Sequence, residues 1–487
     1  MTSLFEFGGR AEFLNRSDEL TTLERWWDDS ADRFPLVLYG RRRIGKSWLF
    51  RRFAHGRPAD VFVCDRLAEA DQLWSFAGGL EERLGFRPDL PDVAAFYRFL
   101  FRQARDERRL AVIDEFPELI RLGGSPDSVL ARVMEDELPA SRLKLILCGS
   151  QVSTMEHLLA ERQPLRGRGR RFLLAPLRFS QARPFLGAHP PADLVTRFAI
   201  AGGMPLYLRR LGRRGALRTV VCEELIEPLA PFHNEPWDVL ELELTGTAVH
   251  FSLLWALSRH QEMTWQELIA ESRVSEGNAS RNVRVLQDLH LVEAANPMFA
   301  EPSARQRRYR LRDDLMRFWF RFVFPWQEEL RAGLPARDHY DRNVAPHLPE
   351  HVSPVFEELC RAWVRTVAGA DAVGRWWGPA RHDLRRRQER TTEEIDVVAA
   401  SGRRVAMVGE CKWTGQPMRR AVLDDLLALK LPALAQAGVD VREARIALFS
   451  RSGFAPDLEA AAAGRGVRLI GLDRLVADLG FDAERSG

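Results

Sequence analysis

Pro35-Leu36-Val37-Leu38-Tyr39-Gly40-Arg41-Arg42-Arg43-Ile44-Gly45-Lys46-Ser47 is the stretch that decides the fold. Its first five residues make a short apolar run, and Gly40 to Ser47 then spell GxxxxGK[ST] ahead of a helical pattern beginning at Trp48. Strand, glycine loop and helix in that order make a phosphate-binding loop. The glycines let backbone N–H groups curl round a polyphosphate, Lys46 reaches the terminal phosphates, and the Ser47 hydroxyl ligates Mg2+ at a helix N-terminus. The cofactor-binding set read here is Gly40, Arg41, Arg42, Arg43, Ile44, Gly45, Lys46, Ser47 and Trp48. A glycine turn in a basic loop is the alternative reading.

Downstream, Arg109-Leu110-Ala111-Val112-Ile113-Asp114-Glu115 is an apolar strand ending in two acids. Asp114 is placed to hold Mg2+ through water, and Glu115 to activate the attacking water. Paired acids at a strand end also cap helices, but after a phosphate loop the nucleotide role is favoured. Around these two strands, apolar runs at 35–39, 60–64, 110–113, 143–148 and 171–175 alternate with longer helical stretches. That alternation predicts a parallel α/β sheet.

The whole chain has 487 residues, 46% hydrophobic and 29% charged. At roughly 100 to 200 residues per domain it divides into two to four domains. Its 71 basic and 68 acidic side chains leave only +3, so nucleic-acid contact must come from local patches. Five scattered cysteines, an odd number with no CxxC pair, exclude a disulfide framework and a cysteine zinc site, and a reducing cytoplasm fits. No apolar run approaches the ~18 residues of a membrane span, and Glu6, Arg10, Glu12 and Arg16 interrupt any signal-peptide pattern. The only lysines are Lys46, Lys144, Lys412 and Lys430, against 67 arginines. A lysine in this chain therefore marks a place where a compact ammonium is needed.

After 1–180, read as the ATPase core, residues 181–243 read as a helical lid with Pro and Gly breaks that include Gly202-Gly203-Met204-Pro205. Residues 244–330 read as three short amphipathic helices and a hairpin, a winged helix. A Pro-rich stretch then leads to a final α/β region at 345–480.

These features resemble the AAA-related P-loop ATPases of archaeal and bacterial type that carry a winged helix and a C-terminal endonuclease-like domain of unknown function. The resemblance covers nearly the whole chain. It implies a P-loop NTPase parallel sheet with a helical lid, a winged-helix domain and a C-terminal restriction-endonuclease-like α/β domain. Phe13-Leu14-Asn15-Arg16 with Asp18-Glu19-Leu20 is similar to the family's FxxR-x-x-E-L motif, which implies that Phe13 and Arg16 flank the adenine; Asn15 stands where Gly is common. Leu147-Cys148-Gly149-Ser150 implies Ser150 as the sensor of the γ-phosphate, and Gly202 to Pro205 match the family's GG-x-P. Arg166, Arg168, Arg170 and Arg171 crowd the entry to the fifth strand. In related ATPases arginines here reach a neighbouring subunit's nucleotide, which makes Arg168 and Arg170 candidates in a homo-oligomer. A solvated basic loop is the alternative.

In the third helix of the winged-helix region Ala279, Val283, Leu286 and Leu289 recur at helical spacing, leaving Asn278, Arg281, Asn282 and Arg284 on other faces. Those residue types meet phosphates and base edges in a major groove. Arg305, Arg307 and Arg308 at the hairpin tip suit a wing, although the same fold also serves as a lid or a protein dock. The aromatic run from Asp313 to Phe322 matches the family's junction motif and reads as interdomain packing.

Towards the C-terminus two strands flank the turn Ser401-Gly402, with Asp396 and Glu410 each seven residues from Arg403. An antiparallel hairpin sets the two carboxylates nearly opposite, and Lys412 falls on the same face as Glu410. This resembles the spacing of the PD-(D/E)xK nucleases, with Ile395 in place of the proline. Asp396 and Glu410 are the predicted metal ligands, Glu357 on a preceding helix completes the set, and Lys412 serves the chemistry. A DNA-binding module that does not cut and a salt-bridged edge strand are the alternatives. Trp376, Trp377, Arg385, Arg386 and Arg387 add a basic and aromatic patch compatible with DNA.

The reading is an ATP-hydrolysing, Mg2+-dependent ATPase coupled to a DNA-binding winged helix and a nuclease-like domain, with ATP and DNA as partners. A metal-dependent deoxyribonuclease activity stays open. The competing class is a STAND-type signalling ATPase whose C-terminal domain is a catalytically inactive DNA- or protein-interaction module. A small-molecule kinase is disfavoured because nothing resembles an acceptor site.

Overall fold

The computed structural model describes residues 15–244, 247–300, 306–384 and 387–480. They fall into two compact units. The first runs to Pro176 and includes Met204–Leu206, and the second takes Leu177–Gly203 and the chain from Tyr207 onward.

The first unit is built on five strands, β1 (Leu36–Tyr39), β2 (Ala59–Val63), β3 (Arg109–Asp114), β4 (Leu143–Gly149) and β5 (Arg170–Leu173). All pair parallel, in the order β2-β3-β4-β1-β5. Every residue of β1 and β4 is buried, as expected of central strands covered on both faces. The expected runs and the observed strands coincide to within a residue or two. Because β4 lies between β1 and β3, with Tyr39 level with Gly149 and Ile113 level with Leu147, the loops after β1 and β3 leave the sheet at one edge. Crevices outside the carboxyl ends of such strands are where ligands bind.

Lys144 sits inside β4 and is buried. Its ammonium donates to the carbonyls of Trp26, Asp29 and Asp32 and lies 5.0 Å from the Trp26 ring centroid. Burial pushes its pKa down to about 8, against the opposing pull of the nearby Asp32 and Asp29 charges. It thereby ties the end of helix Ser17–Asp28 to the middle of the sheet.

In the second unit, helices Thr247–Ser258, Trp265–Ser272 and Glu276–Asp288 accompany β6 (Met263–Thr264), β7 (Val292–Ala295) and β8 (Arg308–Leu311). The strands form a small antiparallel sheet ordered β6-β8-β7. The Thr264 hydroxyl accepts from the N–H of Glu267, whose carboxylate accepts from the N–H of Thr264, a reciprocal cap that starts the middle helix. The aromatic run forms helix Asp314–Phe322, capped by Asp313, with Phe318, Trp319 and Phe320 fully buried. Trp319 donates to the His233 carbonyl at 2.6 Å, so the junction motif is a packing core.

Helix Leu348–Val367 leads into β9 (Ala372–Leu384), β10 (Arg387–Ser401), β11 (Arg404–Lys412), β12 (Arg445–Ser450) and β13 (Arg468–Gly471). Their order is β13-β12-β11-β10-β9, antiparallel from β9 to β11 and parallel from β11 to β13. The stretch read as a lid packs within this unit: His351 bonds the Ala199 carbonyl at 2.9 Å, joining helices Leu348–Val367 and Pro191–Ala201.

Lys144→Met leaves three carbonyls short of a donor and is expected to destabilise the first unit by about 2–4 kcal/mol. A urea titration of the full chain reads this as a lowered midpoint. Lys144→Arg does not rescue it, because a planar guanidinium cannot converge on three carbonyls as an ammonium does.

Candidate functional site

Two places in the fold gather chemistry-bearing side chains, one in each unit. In the first, Gly40 follows β1 so closely that a Cβ there would meet the Leu174 carbonyl oxygen at 2.6 Å, a backbone contact that cannot yield. Gly45 has φ +99°, the left-handed region that glycine tolerates, and starts helix Lys46–Ala54. Lys46 is buried and its ammonium donates to the carbonyls of Gly40 at 2.7 Å and Arg41 at 3.2 Å. Ser47 Oγ lies 3.2 Å from Asp114 Oδ2. These are hard oxygen donors of the kind Mg2+ takes, and the pair fits that ion.

Glu115, the residue after Asp114, has φ +52°. A non-glycine residue held there is strained, and it turns the carboxylate toward the end of β4. There Ser150 Oγ donates to Glu115 Oε2 at 2.9 Å. Five of the expected site residues, Lys46, Ser47, Asp114, Glu115 and Ser150, thus stand at one edge of one sheet.

Around them, Arg41 and Ile44 are buried, whereas Arg42, Arg43 and Trp48 are exposed at the mouth of the loop. Arg16, expected beside the adenine, is buried with its guanidinium committed to the protein. It donates to the carbonyls of Ile44 at 3.1 Å and Ala175 at 2.8 Å, and pairs with Glu19 at 2.7 Å. Burial lowers its pKa from the ordinary value. Arg16 therefore braces the phosphate loop from behind. Phe13 lies outside the described residues.

Arg168 is half-buried and Arg170 exposed, and they pair with Glu135 at 2.7 Å and Asp32 at 2.8 Å respectively. Arg170 is level with Leu36, where β1 begins, whereas the phosphate loop leaves β1 after Tyr39. At about 3.3 Å per residue both arginines stand ~10 Å back along the strands, at the wrong end to reach their own chain's nucleotide.

In the second unit, helix Glu276–Asp288 buries Ala279, Val283 and Leu286 and exposes Asn278, Arg281 and Arg284. The hairpin is less free than expected. Arg308 pairs with Glu394 at 2.9 Å and Glu262 at 3.5 Å, and stacks 4.6 Å from the Trp377 centroid. Trp376 and Trp377 are buried, and the Trp377 ring has the guanidinium groups of Arg308 and Arg375 4.6 and 4.7 Å from its centroid, so these rings are no platform for bases. Arg305, Arg385 and Arg386 lie outside the described residues.

The acids of the C-terminal sheet meet through two irregularities. The hairpin turns on Gly402 and Arg403, with Ser401 paired to Arg404, a register that by itself would pair Asp396 with Gly409. A bulge on β11 at Ala406 shifts the ladder so that Val397 faces Gly409, and one further step sets Asp396 beside Glu410. A second bulge, on β10 between Ile395 and Val398, re-aims Asp396 relative to β9. Asp396 Oδ2 accepts from the N–H of Cys411 at 2.8 Å. Burial and then the Asp396 charge push the carboxyl groups of Glu357 and Glu410 up to about 7.

The expected metal set of Glu357, Asp396 and Glu410 needs correction. Among the described residues no three His, Cys, Asp or Glu side chains gather tightly enough to hold a metal ion. The acids instead have cationic neighbours: Glu357 stands 3.6 Å from Arg361, and Glu410 Oε2 accepts from Lys430 at 2.6 Å. Lys412, the expected lysine, stands off at 3.9 Å and is 41% exposed. Lys430 was not among the expected site residues, although its rarity in an arginine-rich chain was the available signal.

Residues 319–422 match the DUF234 family, described as archaeal and bacterial proteins of unknown function. The DUF234 match takes in Glu357, Asp396, Glu410 and Lys412 and stops short of Lys430. An uncharacterised protein of Methanocaldococcus jannaschii is 24% identical over 415 residues, 82% of this chain and 87% of its own length. An uncharacterised ATP-binding protein of the same organism is 41% identical over 49 residues, 10% of this chain and 81% of its own length. Among solved structures, the Walker-type ATPase PABY2304 of Pyrococcus abyssi is 17% identical with a TM-score of 0.48, covering 64% of this chain and 97% of that one.

Arg16→Met removes the two guanidinium bonds behind the loop without touching the loop's own sequence. It is expected to weaken binding of a fluorescent ATP analogue about tenfold, with a stability loss of about 1–3 kcal/mol seen in the same protein by denaturation.

Proposed function

We propose that this chain is an ATP-binding and ATP-hydrolysing P-loop switch whose second unit carries a DNA-contacting winged helix and a nuclease-like domain. The observation that carries the reading is the convergence of Lys46, Ser47, Asp114, Glu115 and Ser150 at the carboxyl edge of the parallel sheet. The name of the 49-residue relative, an ATP-binding protein, agrees with it.

In this reading Lys46 exchanges its two carbonyl partners for phosphate oxygens while the backbone of Gly40 to Ser47 cradles the polyphosphate. Ser47 and Asp114 hold Mg2+, which neutralises charge on the phosphates. Glu115 takes a proton from the attacking water. Its carboxylate is held by Ser150, so a shift of Ser150 towards the γ-phosphate would release the base when ATP is bound. Arg168 and Arg170, placed away from their own loop, suit a homo-oligomer in which they serve a neighbouring subunit.

For nucleic acid, Arg281 and Arg284 are the side chains offered to phosphates, on the solvent face of helix Glu276–Asp288. A second reading, the STAND-type signalling ATPase with a catalytically inactive C-terminal domain, is favoured by two observations. Arg308 and Trp377 are consumed in packing, and Lys430 rather than free space adjoins Glu410.

Glu115→Gln is expected to keep ATP binding while turnover falls by about 10²–10⁴, whereas Lys46→Ala loses binding as well. Arg281→Ala with Arg284→Ala weakens duplex binding and lowers the salt slope by about 2, read by fluorescence anisotropy at several salt concentrations. Cleavage of plasmid DNA with Mg2+ or Mn2+, with and without ATP, that is lost in Asp396→Ala and Lys412→Ala supports the nuclease. No DNA binding and no cutting, with ATP turnover intact, selects the signalling reading.

A further inference from the structure

With Arg16 committed behind the phosphate loop, the base of a bound nucleotide has no assigned neighbour among the described residues. Trp48 lies directly after Ser47, in the first turn of helix Lys46–Ala54, and 46% of it is exposed. The same helix buries Leu49, Phe50 and Phe53, so its apolar face is filled without the indole.

Other exposed indoles of this chain are covered by its own side chains. Among the described residues three tryptophans expose more than a third of their surface: Trp48, Trp74 and Trp255. The Arg87 guanidinium lies 3.9 Å from the Trp74 ring centroid. That of Arg259 lies 5.3 Å from Trp255, which also meets Phe324 at 5.9 Å. Trp48 has no cation or ring stacked on it among the described residues. The backbone adds a second observation. Leu49 N–H closes the first helical bond, to the Gly45 carbonyl at 3.0 Å, so the Trp48 amide is the last one ahead of the helical ladder.

We infer that Trp48 is the stacking platform for the nucleotide base. In a loop of this kind the backbone amides take the α- and β-phosphates, while the lysine and the hydroxyl that ligates Mg2+ mark the β/γ end. Lys46 and the Ser47–Asp114 pair hold that end here. The Trp48 amide marks the other end, where the α-phosphate passes to the ribose, and its indole meets the face of the base one sugar further out. Every base has a π-face, so the stack selects nucleotides over bare polyphosphates and does not by itself choose adenine over guanine. The inference rests on reading Gly40 to Ser47 as a nucleotide loop.

The test is binding of ADP and of inorganic pyrophosphate to the full chain with Mg2+, read by isothermal titration calorimetry in native protein, Trp48→Ala and Trp48→Phe. Pyrophosphate offers the loop two phosphates without a base, and neither probe carries a γ-phosphate to be hydrolysed. Thermal melting checks that the variants fold, and Trp48→Phe keeps an aromatic face at the same position. Trp48→Ala is expected to bind ADP about tenfold more weakly while its pyrophosphate binding stays within about twofold of native. Trp48→Phe is expected to stay within about threefold of native on both probes. Unchanged ADP binding in folded Trp48→Ala, or an equal loss of ADP and pyrophosphate, overturns the stack and leaves the phosphate loop standing. Native protein that takes up neither probe overturns the nucleotide reading on which the stack rests.

Discussion

The bond from Ser47 to Asp114 is the constraint on which the first unit is organised. The two residues belong to different loops and meet only because β1 and β3 flank β4 with their carboxyl ends level. Each further strand inserted between β1 and β3 would move the two loops apart by about 4.8 Å more. The continuous apolar burial of β1 and β4 is what makes that order rigid, and Lys144 anchors the preceding helix to the same central strand. Glu115 and Ser150 then need no further positioning. One leaves β3 and the other leaves β4, at the same edge, within hydrogen-bond reach.

The second unit relies on irregularity where the first relies on regularity. Asp396 comes beside Glu410 through two bulges, and Lys430 arrives through a π-helical turn. Because side chains alternate faces along a strand, a single-residue slip at Ala406 would turn Asp396 away from Glu410. The arginines and tryptophans that resemble a nucleic-acid surface in sequence are in part internal. Arg308, Arg375 and Trp377 pack against one another between the small antiparallel sheet and β9. The exposed arginines of helix Glu276–Asp288 are what remain for an outside partner.

The four lysines illustrate how a compositional bias carries structural information. Lys46 bonds two loop carbonyls and Lys144 three carbonyls of a helix end, Lys430 neutralises a buried glutamate, and Lys412 stands near the same glutamate with partial exposure. Two of the four, Lys46 and Lys144, meet convergent oxygens, a geometry suited to a tetrahedral ammonium. The rarity of lysine marks all four positions in the sequence, but a chemical role is assigned from it only to Lys46 and Lys412. For Lys144 and Lys430 the partners come from packing alone.

The amino-acid sequence by itself determined the phosphate loop, the acidic strand end, the five apolar strands and the three helices with their hairpin. Each is encoded by contiguous residues whose periodicity or glycine placement acts locally. Only the tertiary structure decided that Arg16 faces the loop from behind, that Arg168 and Arg170 stand at the far end of β5, and that Lys430 rather than Lys412 bonds Glu410. It also decided that the Asp396 and Glu410 register depends on a bulge. These outcomes turn on which distant groups share a desolvated space. A buried carboxylate or guanidinium takes whatever partner packing brings within about 3 Å, and spacing along the chain carries no record of that choice.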